Sequence, residues 1–522
     1  MCKHQKLRAY FSVIFLLFAS GLFAEEKEST VSTTTVTCQS KAGERQHCPA
    51  NTGAGVIVQK STGSVACLLG MTWGYDDKGV WVTNGCSGVF LVATPDVVPD
   101  EERMKATPVV AAANWPPENA QPTPRSNDTW GTLDPGKGFL LGRGDHGEVS
   151  LSAYAMVRYM NQMGNDTFTD HLGREQPVDL RHDIYSHRVL VFLKGWMGTP
   201  KFVYQIAWWT VNTTDQDALF GNLGYQFHKS FNLYAGINGN PGSRSLQGSH
   251  PYWLGHDRVM ADEFFRPYFT QGLWANGEIA PGLWYSVMAG NTSSILGVTA
   301  SSIDRKFTYG GSLWWMPTTK EFGPRGAYGD WEMHQEVATR FGFSTVYSPE
   351  ERYTDIGSDP GNTVLKLIDS LNVFNTGALA PGVTVTDVDY QNLAIDAGVK
   401  YKGFFFQAEY YFRQLDNFQA DGVLPVGEIK DQGFYIQTAF FPIPKKLELY
   451  VATSQIFGDS DAGFGDASEY IIGANYYPVN TRNHRVNLQV IDVNKSPVSS
   501  TFGYYTGGQD GTTVSLAASI FF

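Results

Sequence analysis

The residues whose types and spacing could do chemistry are a group of cysteines and a scatter of cationic side chains. Cys2 stands alone at the start, Cys38, Cys48, Cys67 and Cys86 crowd into one short stretch, and no cysteine follows. In an exported chain an even cluster of thiols implies disulfides, and four cysteines allow three connectivities. The expected pairing joins sequence neighbours, Cys38 with Cys48 and Cys67 with Cys86. Zinc is the rival use of such thiols, but the chain has no CxxC pair. The cations of interest are Arg158, Arg188, Lys194, Arg244, Arg258, Arg340, Lys400 and Arg413. Guanidinium and ammonium groups attract and orient anions. Glu332, Glu336, Asp396 and Glu409 accompany them, so the set is mixed in sign. No HExxH, GxSxG, Walker loop or strand–helix GxGxxG occurs. His182 and His187, five apart, suit no common metal pair. The sequence therefore predicts no enzyme, no metal and no cofactor.

These side chains are carried by 522 residues of unusual make-up. Lys and Arg number 39 against 51 Asp and Glu, for a net charge of -12. Only 17% of residues are charged, below the quarter or so of ordinary soluble domains. Aromatics reach 14%, glycines number 55, and mean hydropathy is -0.22. Disordered chains are aromatic-poor and charge-rich, so disorder is excluded. An acidic chain without a basic stripe is no nucleic-acid binder. Only the extreme N-terminus has a long apolar run, which excludes a helical membrane protein.

That N-terminal run reads as a secretory signal over residues 1–24. Lys3, Lys6 and Arg8 form the positive start, Leu7–Ala19 is mostly apolar, and cleavage is expected after Ala24, with Gly21 as the alternative. Export makes the disulfide reading coherent.

Four regions follow. Residues 25–37 are a polar Ser/Thr/Glu-rich lead. Residues 38–94 form a small Cys-containing β-rich domain with strand-like runs at 55–59, 79–83 and 88–93. It is too small for a large core, so covalent staples are expected. Trp73, Tyr75 and Trp81 read as core, with a sugar-binding face as the alternative. Residues 95–136 are a Pro-rich linker, an extended spacer, interrupted by a short helix over Met104–Ala113.

Residues 137–522 lack helical periodicity. About sixteen runs of roughly ten residues alternate in polarity between Gly, Asn, Asp and Pro turns. In 148–161, Val149, Leu151, Ala153, Ala155, Val157 and Tyr159 oppose Ser150, Ser152, Tyr154 and Arg158. In 401–413, Phe404, Phe406, Ala408, Tyr410 and Phe412 oppose Gln407, Glu409 and Arg413. In 331–343, Glu332, His334, Glu336 and Arg340 oppose Met333, Val337, Phe341 and Phe343. Period two puts one set on each face of a sheet. A polar face repeated over sixteen strands fits a barrel with an aqueous lumen. The doublets Trp208–Trp209, Trp314–Trp315, Tyr410–Tyr411, Tyr476–Tyr477 and Tyr504–Tyr505 read as interfacial girdles. The last strand alternates down to Phe522. Unpaired strand edges are too costly in lipid, so the sheet must close. The fold class is all-β: a transmembrane antiparallel barrel of about sixteen strands behind a small stapled domain. Asn238–Phe265 is the candidate constriction loop.

Residues 38–94 resemble an uncharacterised cysteine-containing domain family of exported bacterial proteins. Cys38-Gln-Ser, Cys48-Pro, the Cys67 spacing, Trp73-Gly-Tyr-Asp and Gly85-Cys86 carry that resemblance. Residues 136–522 resemble the phosphate-selective porin O and P family. The telling stretches are 142–162, His187-Arg-Val189 to Trp196, Ala261–Gly272, Trp314–Pro317, Gly323-Pro-Arg325, His334–Arg340, Glu469–Pro478 and the final strand. This resemblance implies a trimeric sixteen-stranded porin in the bacterial outer membrane, with an inward-folded loop and passive diffusion of small hydrophilic solutes, anions such as phosphate among them. The eight cations above are then pore-lining candidates. With an even strand number both barrel ends face the periplasm, which places 38–94 there, able to touch the cell wall. The alternative function is an envelope structural protein whose barrel anchors that domain. Its expected surroundings are outer-membrane lipid, with no nucleic acid.

Overall fold

The computed structural model describes residues 32–52, 56–63, 65–68, 72–76, 78–94, 136, 138–211, 216–248, 250–293, 306–499 and 503–522. The signal segment 1–24 and nearly all of the 95–136 linker, with its expected helix, lie outside these residues. The chain divides into two compact units, described here one at a time.

The small unit contains β1 (Ser32–Gln39), β2 (Arg45–Pro49), β3 (Val56–Ser61), β4 (Trp73–Asp76), β5 (Gly79–Thr83) and β6 (Ser87–Thr94). They form two three-stranded sheets, β1–β6–β3 and β2–β5–β4. β1 begins at Ser32, inside the segment read as a polar lead. The core is Val80, Val82, Phe90, Val92 and Trp73 with Cys38 and Cys86. Disulfides join Cys38 to Cys48 and Cys67 to Cys86, as sequence adjacency suggested. Trp73 is core, as expected, whereas Trp81 lies across Gly74 under the Arg45 guanidinium, 4.1 Å from its carbon. Replacing Cys38 and Cys48 by serine will destabilise this unit by about 2–4 kcal/mol, the usual size for a short closed loop. Proteolysis of the oxidised full-length chain checks this. Cleavage within 32–94 should become several-fold faster in the variant, and equal rates would refute it.

The large unit begins with β7 (Phe139–Gly144) and β8 (Gly147–Gln162), followed by a hairpin of β9 (Thr167–Thr169) and β10 (Glu175–Pro177). Next come β11 (His182–Met197), β12 (Thr199–Val211), β13 (Gln216–His228) and β14 (Phe231–Gly239). A short helix, α1 (Met260–Phe265), precedes β15 (Phe269–Ala280), β16 (Leu283–Gly290), β17 (Thr308–Trp315) and β18 (Ala338–Glu351). The chain finishes with β19 (Val385–Tyr401), β20 (Phe404–Ala420), β21 (Glu428–Ile443), β22 (Leu447–Phe457), β23 (Ala467–Tyr476), β24 (His484–Asn494) and β25 (Gly511–Phe521). β8 and β11 to β25 close a sixteen-stranded antiparallel barrel. Closure pairs β25 with the upper half of β8, Phe521 opposite Tyr154, and β7 continues the same position along its lower half, Phe139 opposite Leu151. The rings of Phe139 and Phe522 meet at 4.7 Å across the junction.

Alternation sorts side chains as period two requires. On β8 the odd set, including Leu151 and Val157, points outward, and Ser150, Ser152, Tyr154 and Arg158 are buried inside. Leu219, Leu273, Phe343, Phe412, Val451, Ile472, Leu488 and Leu516 belong to an exposed apolar belt around the wall, the face a membrane barrel presents to lipid. No described helix is long and apolar enough to cross a membrane.

Two expectations are corrected. The strand proposed over 331–343 starts only at Ala338, because 316–337 is a long loop at the barrel end that carries Phe522. Glu332, His334 and Glu336 therefore lie in a loop. Tyr504 and Tyr505 are no girdle either: both are buried in the segment between β24 and β25. Tyr411 likewise faces inward and stacks on Phe265 at 5.0 Å.

Candidate functional site

The barrel interior is not an open tube. Segment 240–268, between β14 and β15, is buried along nearly its whole length. It matches the expected constriction loop to within three residues at each end. Backbone amides of α1 fix it to the wall: Met260 N–H donates to Glu469 Oε1 (2.6 Å) and Ala261 N–H to Ser454 Oγ (3.1 Å). Segment 352–384 enters from the same end with Leu365, Leu367, Ile368, Val373 and Phe374 buried. Segment 495–510 adds Tyr504 and Tyr505, and 316–337 enters from the opposite end with Phe322 and Tyr328. The Tyr328 and Tyr435 hydroxyls meet at 3.0 Å. Inward-facing wall residues and these four segments share one apolar cluster.

Six of the eight expected lumen cations are bound up in this packing. Arg158 Nη1 donates to Asp257 Oδ2 (2.7 Å) and its Nη2 to the Gly503 carbonyl (2.8 Å). Arg188 pairs with the same Asp257. Lys194 donates to the Gly136 carbonyl. Arg258 lies between Asp262 and Glu263 at 3.7 and 3.8 Å, over the Trp253 ring. Lys400 donates to the Phe322 carbonyl (2.8 Å) and Arg413 Nε to Asp431 (2.9 Å). The Asp257 and Phe322 contacts tie inserted segments to the wall, and Asp257, Asp262, Glu263 and Asp431 balance the four arginines locally.

Arg244 and Arg340 differ. Together with Arg325 they line a cavity of about 110 Å³ between segments 240–268 and 316–337 and the β14–β17 wall. Arg340 Nε donates to Asp396 (3.0 Å), and its Nη2 to Gln247. Arg244 accepts a fixed orientation from three contacts. Its backbone N–H donates to Glu409 (2.9 Å), Nη1 donates to the Gly326 carbonyl (2.9 Å), and its carbon lies 4.3 Å from the Tyr328 ring centre. Its Nη2 is buried and makes no hydrogen bond. Arg325 reaches the same space from a loop residue with φ 54°, facing Gly248, where a Cβ would lie 3.1 Å from its Nη2. Sequence reasoning missed Arg325, because a turn after Gly323-Pro324 does not reveal where it folds. The β14–β17 part of the lining carries the rings of Tyr234, Trp274 and Trp314, with Asn276 and Ser286 between them. Tyr234 is the register partner of Trp274, and Trp284 that of Trp314.

Glu321 is the one carboxylate lining the cavity, and its Oε1 is held by His334 Nε2 at 2.7 Å. His334 Nδ1 meets Asp330. Asp330, Glu332 and His334 are close enough to suggest a metal, but both His334 nitrogens are engaged, and Glu332 accepts from Arg482 (3.1 Å). Burial works against protonating His334, yet the hydrogen bonds and charges of Asp330 and Glu321 outweigh it and hold its pKa up at about 9. A folded-state pKa above the ordinary 6.5 stabilises fully below 6.5, and the contribution is lost as pH rises through 9. Tryptic cleavage after exposed Lys320, normalised to a free peptide, should therefore accelerate from about pH 8 to about pH 10. In His334→Gln it should be fast throughout. A flat wild-type profile would refute this.

Comparison with known proteins now has a geometry to meet. Residues 368–503 match the family described as phosphate-selective porin O and P. Residues 35–110 match a protein family of unknown function, DUF3011. The chain is thus a porin-like outer-membrane β-barrel with a small disulfide-bonded domain ahead of it. No curated protein matches. Among solved structures it is similar to OmpT of Vibrio cholerae, at 12% identity over 73% of this chain and 99% of that one, TM-score 0.42. It is similar to an anion-selective porin from Comamonas acidovorans, at 10% over 72% and 99%, TM-score 0.43. A third is the outer-membrane channel DcaP of Acinetobacter baumannii, at 11% over 74% and 99%, TM-score 0.41.

Proposed function

We propose that this porin-like barrel lets small anions cross the outer membrane by passive diffusion, through a narrow passage against the β14–β17 wall. The observation that carries this is the cavity lining, where Arg244, Arg325 and Arg340 outnumber the carboxylates they meet, Glu321 held by His334 and Asp396 behind Arg340. A ring of cations in a low-dielectric constriction favours anions at entry and excludes cations. Phosphate is the solute for which the matched family is named, and it is one candidate. The barrel end bearing Phe522 faces the periplasm in this reading, and the barrel assembles as a homotrimer. Planar-bilayer recording under a tenfold KCl gradient tests the proposal. The reversal potential should take the sign of chloride permeation, and a cation-selective or silent, folded channel overturns it.

A second reading is favoured by the apolar packing inside the barrel, which leaves little free lumen. Here the barrel anchors the 38–94 domain in the periplasm for contact with the cell wall. Removing 25–130 should then abolish co-sedimentation with purified peptidoglycan, and unchanged sedimentation would exclude that role.

A further inference from the structure

The cavity has two chemically different walls, and a compact inorganic oxyanion uses only one of them. Arg244, Arg325 and Arg340 supply the cationic side. Across from them, β14, β15 and β17 present Tyr234, Trp274 and Trp314, and Trp284 of β16 stacks on Trp314, nearly parallel at 9° with centroids 6.5 Å apart. Ring faces carry the negative part of the aromatic quadrupole. Asn276 and Ser286 also line this side, but the ring faces return no hydrogen bond, and a strongly hydrated phosphate loses water against them at a cost. A carboxylate bound to a flat apolar body meets both walls. Its two oxygens suit the guanidinium fork, and its ring lies against indole at offset or tilted geometry.

We propose that the preferred solutes are organic anions with a flat apolar body, aromatic monocarboxylates above all, with the carboxylate at Arg244 and Arg340 and the ring against Trp274 and Trp314. This rests on the reading of the chain as an anion-passing porin and narrows its substrate class. Two observations converge on it. Arg244 Nη2 is buried without a hydrogen bond in a side chain only 1% exposed, so a donor stands ready for an acceptor. Arg340 stays near the Trp314 ring, 5.4 Å from its centroid, which brings cation and aromatic wall within the reach of one small molecule.

The test uses the full-length protein in planar bilayers, with chloride current recorded while benzoate, acetate or inorganic phosphate is titrated. Benzoate should reduce the current at about tenfold lower concentration than acetate or phosphate, the upper end of what one stacked ring contributes. Trp274→Leu with Trp314→Leu should bring benzoate to the level of acetate. Equal potency of benzoate and acetate in the wild type, or stronger block by phosphate, overturns the proposal while an anion-selective KCl reversal potential leaves the parent reading standing. Cation selectivity in KCl would instead overturn the parent reading. Because the wild-type titration alone decides between these outcomes, the test survives a double variant that fails to fold.

Discussion

Replacing Arg244 and Arg340 together by alanine will reverse the ion preference of the channel. The wild-type cavity presents three guanidinium groups to the solute. The double variant keeps only Arg325, and it releases Asp396, whose carboxylate accepts from Arg340 Nε at 3.0 Å and lies 3.9 Å from Arg244 Nε. The local charge therefore falls by the two cations removed, and a carboxylate that was paired now faces the passage. Glu321 remains, still tied to His334. Under a tenfold KCl gradient an ideally selective pore reverses at about 59 mV, and the variant should move from the chloride sign to the potassium sign. Arg340→Lys separates charge from shape: it should keep the sign but weaken carboxylate block, since an ammonium lacks the planar fork. Leaving Asp396 buried and unpaired costs stability, of order 3–5 kcal/mol if it stays dry. Heat-modifiable migration on a gel must therefore accompany the recording. A folded double variant with an unchanged reversal potential would show that these arginines do not face the conducting path.

What could be read from residues alone follows from which forces are local. Period-two alternation is local, and it puts Arg158, Arg340 and Arg413 on the polar faces of their runs. The same rule misled at 331–337. Those residues also alternate, but they follow Pro317, Gly323, Pro324 and Gly326 and sit in a loop held by Asp330, which accepts from the Gly403 N–H at 2.7 Å. Counterions are not local at all. Asp257 is 99 positions from Arg158, and Tyr504 is 248 from the His256 N–H that donates to its hydroxyl. Hence the sequence supplies candidate cations without showing that Arg158 and Arg188 share an aspartate of an inserted segment, or that Arg413 pairs with Asp431 on the next strand. The aromatic wall was half legible. Trp314 was seen as part of a doublet, but the pairing of its strand with the one bearing Trp284 depends on register, which only the closed sheet fixes.

Excising the segment between β18 and β19 will raise single-channel conductance at least threefold, on the order of what an emptied sixteen-stranded lumen allows. Segment 352–384 is the largest of the inserted pieces with a common entry. It buries Val364, Leu365, Leu367, Ile368, Val373, Phe374, Ala378 and Leu379 among inward-facing wall residues. Its ends already lie side by side: Glu351 is the register partner of Asp387, and the Arg352 N–H donates to the Thr386 carbonyl at 3.0 Å. A two-residue Asn-Gly turn can therefore replace 353–385 and continue the ladder as a tight hairpin. The wall keeps its own ties, because Arg413 retains Asp431 and loses only the Lys366 carbonyl (2.9 Å). Segment 240–268 keeps its anchors on β22 and β23, Ser454 and Glu469, so the arginine-lined cavity against β14–β17 persists. Conductance should rise while anion preference falls, since ions gain a second, wider path that bypasses the three arginines. If both quantities stay at their wild-type values in a folded variant, this segment lies outside the path, and the narrow passage against β14–β17 carries the whole current.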